Sequence, residues 1–429
     1  MSGGWRRGQG TGARARIFYG WVVAGVVCLS WAISVGPRQA FSVFLPAFLQ
    51  EFRSSRTATS AAFSIHMTAY ALGGWALGAL VDRLGPRRVI AWCTATWAIT
   101  LLLCGLTQNL WQLYLVYGVV GGIATSGLAY VSNNTLLSRW FIRYRGMAMG
   151  ISQAGVPLGA AVFGVLSQAG VGRFGWRRTH VGFGLVVAAT ALPLTLSFIR
   201  DDPSEKGLPP DGIPPGRERR RGPVFPTSTV EGWGFTGSGI PRGFWPVFGA
   251  NILRGMVMYA ILAHQVVYLV DAGFSKMAAA SLFSLGSFIA VLSGLAAGAI
   301  SDRVGRPRAY AGIAGLYVIA YVSLLLVRDP SRTVTLAFFT LAWGMAGGGG
   351  PPVFAAFLSD RLQGPRLGYL LGLQNIAFGL GAMLGPLLAG AFFDLLGGYA
   401  VAFVLMAASM VVSSVIVSAA ARRPPERPG

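Results

Sequence analysis

Two stretches of this chain say nearly the same thing: Gly78–Arg88 reads GALVDRLGPRR and Gly298–Arg308 reads GAISDRVGRPR. The offset of 220 residues persists upstream, where Phe63-Ser64 face Phe283-Ser284, Ser55 faces Ser275 and Glu51 faces Asp271. In 429 residues, a repeat at half length fixes the architecture before any local reading, because the chain is then two copies of one unit. Each copy of the motif lies between long apolar runs, and duplicated membrane units pair face to face.

Composition supports a bilayer as the solvent. Hydrophobic residues make up 54% of the chain and charged residues 11%, where a soluble domain carries roughly a quarter. Mean hydropathy is +0.58. The net charge of +21 raises nucleic acid as a partner. It is excluded because the basic residues sit in short gaps between apolar runs and form no single stripe. Of the 35 basic residues only Lys206 and Lys276 are lysines, so nearly every positive charge is permanent. Cys28, Cys93 and Cys104 all fall in apolar segments, which indicates neither a disulfide framework nor a metal cluster. The apolar stretch after the basic N-terminus is too long for a signal-peptide core and reads as a retained first span.

A crossing takes about 20 apolar residues. Twelve candidates emerge, numbered here as spans 1 to 12: 17–49, 57–81, 89–106, 110–138, 144–170, 178–199, 244–270, 277–301, 308–327, 333–359, 367–394 and 398–421. Span 1 is long and carries Gly36-Pro37, which predicts an interfacial start and a kink. With both termini on one side, 25 of the 35 Lys and Arg residues share that side and 8 lie opposite, with Arg38 and Arg254 inside spans. The positive-inside bias then predicts cytoplasmic termini and an inner-membrane location. Residues 200–243, rich in Pro, Gly and charge, predict a cytoplasmic linker between an N-terminal bundle (1–199) and a C-terminal bundle (244–429).

Twelve spans, a six-plus-six split and the doubled G-x-x-x-D-R-x-G motif resemble the major facilitator superfamily across essentially the whole chain. The resemblance implies an all-α membrane protein of twelve transmembrane helices in two pseudo-symmetric six-helix bundles. It also implies a conformational latch at the motif: Asp82, Arg83, Arg87 and Arg139 in the first half, Asp302, Arg303 and Arg306 in the second. A carboxylate at that boundary can pair with arginines or a helix N-terminus; the plainer alternative is that these charges anchor loops and set topology. Within the superfamily, Arg139–Gly159 (RWFIRYRGMAMGISQAGVPLG), the opening FYGW, Pro203–Gly212 (PSEKGLPPDG) and His264–Ser275 (HQVVYLVDAGFS) resemble the monocarboxylate and oxalate/formate transporter branch. That likeness implies a carrier of small organic anions linked to protons.

Arg38 is the leading anion contact. A charge midway along a span is costly and tolerated where it faces a wet cavity, and no span holds an interior Asp or Glu to pair with it. A structural partner is the alternative. Arg254, nearer the basic side, is either a second anion contact or a snorkelling side chain. With no interior carboxylate, His264 and His66 are the candidate proton groups near neutral pH, and buried neutral histidines are the alternative. Tyr130, Asn133, Gln153, Gln374 and Asn375 either contact solute or bond neighbouring helices. Glycines 146, 150 and 159 match 368, 372 and 381 and predict close helix packing.

The branch's pattern also fails in places. The arginine usual eight residues before the motif Asp is Gly294, the acidic residue a turn earlier in animal members is Ala290, and span 11 lacks the lysine of oxalate carriers. Drug/proton antiporters carry an arginine early in span 4, where Tyr117 stands, and their Gly-Pro motif is only loosely echoed by residues 154–159. Other readings are an exporter of drugs or metabolites and a non-transporting sensor built on a carrier fold. Enzyme activity, a cofactor and ATP are not expected; the expected partners are a small carboxylate, a proton and the lipid bilayer.

Overall fold

The computed structural model describes residues 18–128, 130–142, 144–212, 243–362 and 367–422; the side chains of Trp75, Ala79, Asp82, Tyr130, Val131, Arg145 and 367–369 also fall outside that description. The chain is all-helical. Its first half contains α1 (Tyr19–Gln39), α2 (Phe41–Phe52), α3 (Arg56–Leu84), α4 (Pro86–Cys104), α5 (Leu110–Leu113), α6 (Gly121–Gly127), α7 (Tyr130–Trp140), α8 (Arg145–Gln153), α9 (Gly155–Val186) and α10 (Leu192–Phe198). Then follow α11 (Phe244–Asp271), α12 (Lys276–Val304), α13 (Arg306–Leu326), α14 (Thr333–Arg361), α15 (Leu367–Leu396) and α16 (Ala400–Arg422).

The repeat is visible as geometry. Ser55 caps α3 by accepting the Ala58 N–H at 3.1 Å, and Ser275 caps α12 through Ala278 at the same distance. The motif glycines Gly85 and Gly305 both take positive φ, 85° and 91°, and each turns one helix into the next. Only glycine adopts that conformation without strain. Pro86 and Pro307 then stand in the first turns of α4 and α13, where a missing N–H costs nothing.

Among the described residues nine runs are long and apolar enough to cross a membrane. One of these, Gly146–Phe198, holds spans 5 and 6 together and breaks at Gly175, where φ is 78°. The 29-residue helices α3 and α14, expected as spans 2 and 10, are not among the nine. The kink expected at Gly36-Pro37 falls at Ala40 instead, between α1 and α2, where the Ala40 N–H still reaches the Gly36 carbonyl at 3.1 Å.

Close packing rests on glycines facing backbone. A Cβ added at Gly155 or Gly159 would run into the carbonyls of Cys28 and Ala32 on α1, and one at Gly381 or Gly385 into those of Ile252 and Met256 on α11. The equivalent glycines are therefore 155/381 and 159/385. Pairing 159 with 381 by identity is off by one helical turn. Across the halves, α3 lies along α15, α9 along α12 and α2 against α11. Gly379 meets Ala71, Gly390 meets the backbone of Arg56, and Gly164 meets Ser284 and Phe283 at these crossings.

Of the stretch expected as a linker, residues 213–242 lie outside the described residues. Residues 200–212 fold back on the first half. Asp201 accepts from the Arg87 N–H at 2.7 Å, Trp140 Nε1 donates to the Arg200 carbonyl at 2.8 Å, and Asp211 accepts from the Ile142 N–H at 3.0 Å.

Candidate functional site

Arg38 sits just past Pro37 on α1 and is 5% exposed. Its Nη2 donates to Gln39 Oε1 at a long 3.3 Å, and its guanidinium lies 5.0 Å from the centre of the Tyr70 ring on α3. Nε and Nη1 are buried with no hydrogen-bond partner. Among the described residues no carboxylate pairs with it. A buried cation with two unanswered N–H groups is a site short of an acceptor, since each such group costs about 1–3 kcal/mol.

Arg254 occupies the related helix α11 and is also buried, 8% exposed. It is better answered. Its Nε donates to Asn251 Oδ1 at 3.0 Å, one turn away on the same face, and its guanidinium lies over Phe354 at 4.7 Å and Phe378 at 4.3 Å. Asn251 in turn donates to the carbonyl and Oε1 of Gln374 at 2.7 and 3.1 Å, leaving Gln374 Nε2 buried and unpartnered. Asn375 is exposed on another face of α15, and Gln153 is half-buried at the end of α8. The structure thus brings Arg254 and Gln374 together through Asn251. Tyr259, buried between Phe63 of the first half and Phe378 of the second at 5.8 and 5.7 Å, joins the two sides.

Asn133 is buried and donates to the Leu128 carbonyl at 3.0 Å, closing the interruption between α6 and α7. It lines a small void with Ser30, Ser34 and Thr94. The Tyr130 side chain lies outside the described residues.

The two candidate histidines, His66 and His264, are both fully buried. His66 Nδ1 faces the Tyr117 carbonyl at 2.8 Å and Nε2 faces Thr125 Oγ1 at 2.9 Å, so it ties α3 to its neighbours in the same half. Within its own half His264 Nδ1 meets Tyr399 Oη at 2.8 Å and Nε2 meets the Pro386 carbonyl at 2.9 Å, and Nε2 reaches across the halves to Ser60 Oγ at 3.2 Å.

At the basic end the Asp82 side chain lies outside the described residues, and Arg83 and Arg303 are exposed. Arg87 donates through Nη2 to the Leu196 carbonyl at 2.5 Å. Arg306 pairs with Asp302 and, at 3.2 Å, with Asp360. Arg139 is half-buried near Asp202, whose carboxyl is held below its ordinary value first by hydrogen bonds from Ser204 and then by the Arg139 charge. Each of these contacts joins helices of one half.

Among the described residues the charged tie between halves stands at the opposite end, and reading the sequence missed it. Arg56, in the first turn of α3, pairs with Asp271 at 2.6 Å, donates to Tyr399 Oη at 2.7 Å and lies 3.7 Å from the centre of the Phe393 ring. Asp394 accepts from the Arg56 and Thr57 N–H groups at 3.1 and 2.8 Å and from Thr57 Oγ1 at 2.5 Å. One signal was available. Glu51 and Asp271 are partners in the repeat, and each pairs with an arginine at 2.6 Å, Glu51 with Arg177 and Asp271 with Arg56.

At Gly294, where the branch carries an arginine, α12 packs on α14 closely enough that an added Cβ would come within 3.2 Å of the Gly348 carbonyl oxygen. Gly348 itself faces the Ala290 carbonyl.

The Major Facilitator Superfamily profile matches residues 20–350 and 330–429. The chain is 26% identical to the MFS-type transporter YcxA of Bacillus subtilis (strain 168) over 88% of this chain and 90% of that one. It is 27% identical to monocarboxylate transporter 13 of Rattus norvegicus over 92% and 87%, and 24% identical to monocarboxylate transporter 2 of Homo sapiens over 92% and 84%. Among solved structures, the nucleoside transporter NupG matches with a TM-score of 0.72 at 14% identity, covering 93% of this chain and 99% of that one. A bacterial homologue of the human lysosomal transporter Spinster, inward-facing and unoccupied, matches with 0.70 at 18%, covering 94% and 97%. With its doubled motif, its all-helical fold and a profile match over nearly its full length, the chain belongs to the Major Facilitator Superfamily.

Proposed function

We propose that this protein is a secondary active transporter that moves a small monocarboxylate-like anion together with a proton by alternating access. The observation that carries the reading is Arg38: a buried guanidinium with Nε and Nη1 unpartnered and, among the described residues, no carboxylate paired with it. A carboxylate supplies the negative charge and the acceptor oxygens that the unpartnered donors of this cation lack, so an anion beside Arg38 answers donors the protein leaves open. Tyr70 lies beside Arg38, and Tyr259 packs between Phe63 of the first half and Phe378 of the second, with Arg254 over the Phe378 ring. The monocarboxylate transporters among the relatives support the same substrate class.

In this reading the halves 1–199 and 244–429 rock about the site, joined by a 200–243 linker, and both termini are cytoplasmic as the arginine distribution favours. His264 is the proton group, because its contact with Ser60 bridges the halves whereas His66 is bonded within one. The motif charges act as a latch at the basic end in the other extreme of the cycle. Uptake of a radiolabelled carboxylate panel by proteoliposomes under an inward pH gradient tests this. Wild type accumulates at least one carboxylate, Arg38→Ala loses that uptake, and His264→Ala loses the pH-driven excess. Unchanged uptake in Arg38→Ala overturns the assignment of the anion site.

A further inference from the structure

His264 sits in a hydrogen-bond chain whose donors can be assigned from chemistry alone. The Pro386 carbonyl only accepts, so the ring hydrogen is on Nε2, shared with Ser60 Oγ. Tyr399 Oη already accepts the Arg56 Nη1 hydrogen at 2.7 Å, which directs its own hydrogen to His264 Nδ1 at 2.8 Å. Nδ1 must then hold a lone pair. A second ring proton would set N–H against O–H and place an imidazolium next to the arginine that the hydroxyl serves.

The groups around the ring come from every neighbouring element: Arg56 and Ser60 on α3, Asp271 on its own helix α11, Pro386 and Asp394 on α15, and Tyr399 leading into α16. Asp271 and Asp394 are already committed to Arg56 and the start of α3, and the ring's own hydrogen bonds go to Ser60, Pro386 and Tyr399. We propose that Tyr399 and Arg56 are positioning residues that make closure of this end and protonation of His264 mutually exclusive. Closing assembles Arg56, Tyr399 and His264 into a chain that accepts no further proton; protonation dissolves the chain and releases α3 from α11 and α15. The proton is thereby linked to one end of the molecule through two residues that touch no solute.

The proposal rests on the transport reading only for its direction in the cycle, and the test needs no transport. Spin labels at Gln108→Cys and Arg332→Cys, both exposed at this end, are placed in a Cys28→Ala background and measured in nanodiscs at pH 8 and pH 5.5. The expected result is a shift to longer distance on acidification. The open-to-closed ratio should rise at least about tenfold, the change one linked proton gives per pH unit. His264→Gln should give one distribution at both pH values, and Tyr399→Phe should lower the closed fraction at pH 8 and flatten the response.

A wild type without a pH response, or a full response retained in His264→Gln, overturns the proposal. If His264→Gln does not fold, an undiminished response in Tyr399→Phe does the same. A pH-sensitive label pair in a protein that accumulates no carboxylate would sink the transport reading and leave this one standing. Accumulation with a silent pair would do the reverse.

Discussion

Replacing Arg38 with methionine should make the empty protein more stable while destroying anion binding. The two orphan donors cost about 1–3 kcal/mol each, or roughly 2–6 kcal/mol together. Against that stand the long bond to Gln39 and the Tyr70 ring, worth about 1–2 kcal/mol combined. Methionine follows the same unbranched path without polar hydrogens, so the net gain is about 0–5 kcal/mol. At about 2.1 cal/mol/K of unfolding entropy per residue, a chain of this length rises by up to about five degrees in its midpoint. Thermal unfolding followed by tryptophan fluorescence in detergent measures this directly. Adding a monocarboxylate at about a hundred times its dissociation constant should stabilise wild type by about 2.7 kcal/mol and leave Arg38→Met unmoved. A fall in the midpoint of anion-free Arg38→Met would refute the reasoning, because the guanidinium would then be a satisfied structural group. Equal protection of both proteins by the anion would refute its role as the anion contact.

Two further outcomes follow from packing and from the segment beside α4. Gly381→Ala should lower the thermal midpoint by an amount corresponding to about 1–3 kcal/mol or more, since the new methyl meets the Ile252 carbonyl, whereas Gly372→Ala, with open space at Cβ, should be neutral or raise it slightly. The Asp202 carboxyl, lowered by its bonds from Ser204, holds the 203–206 turn at pH values above the ordinary carboxylate pKa of about 3.9 and loses that contribution as pH falls towards its lowered value. Asp202→Ala should therefore speed amide hydrogen exchange at Ser204 at pH 7, and exchange unchanged from wild type would count against the cap.

What the sequence made legible is what repeats or what violates its surroundings. The Ser55/Ser275 match and the two motif glycines were readable as a repeat, and in the structure each pair serves one local geometry, a cap and a turn. Arg38 stood out because a charge inside an apolar run is expensive. The helix-on-helix register was not readable. Gly155 and Gly381 are equivalent through the carbonyls they face, and those belong to other helices. The Arg56–Asp394 contact joins residues 338 apart, and both sit where a terminal charge normally marks only a helix end. Whether Arg254 contacts an anion or snorkels was not readable, because nothing local shows that Asn251, Phe354 and Phe378 enclose it.

The contact between Asp394 and the first amides of α3 uses groups that every helix leaves without internal partners. In the proposed cycle, separating the halves at that end hands those amides, the carboxylate and the Thr57 hydroxyl to solvent, and each finds a water in place of the partner it lost. Opening is therefore a hydration step, taking up water where closing expels it. The balance between the two forms then depends on water activity as well as on ligand and pH, and solutes excluded from the protein surface favour the closed form without touching the site.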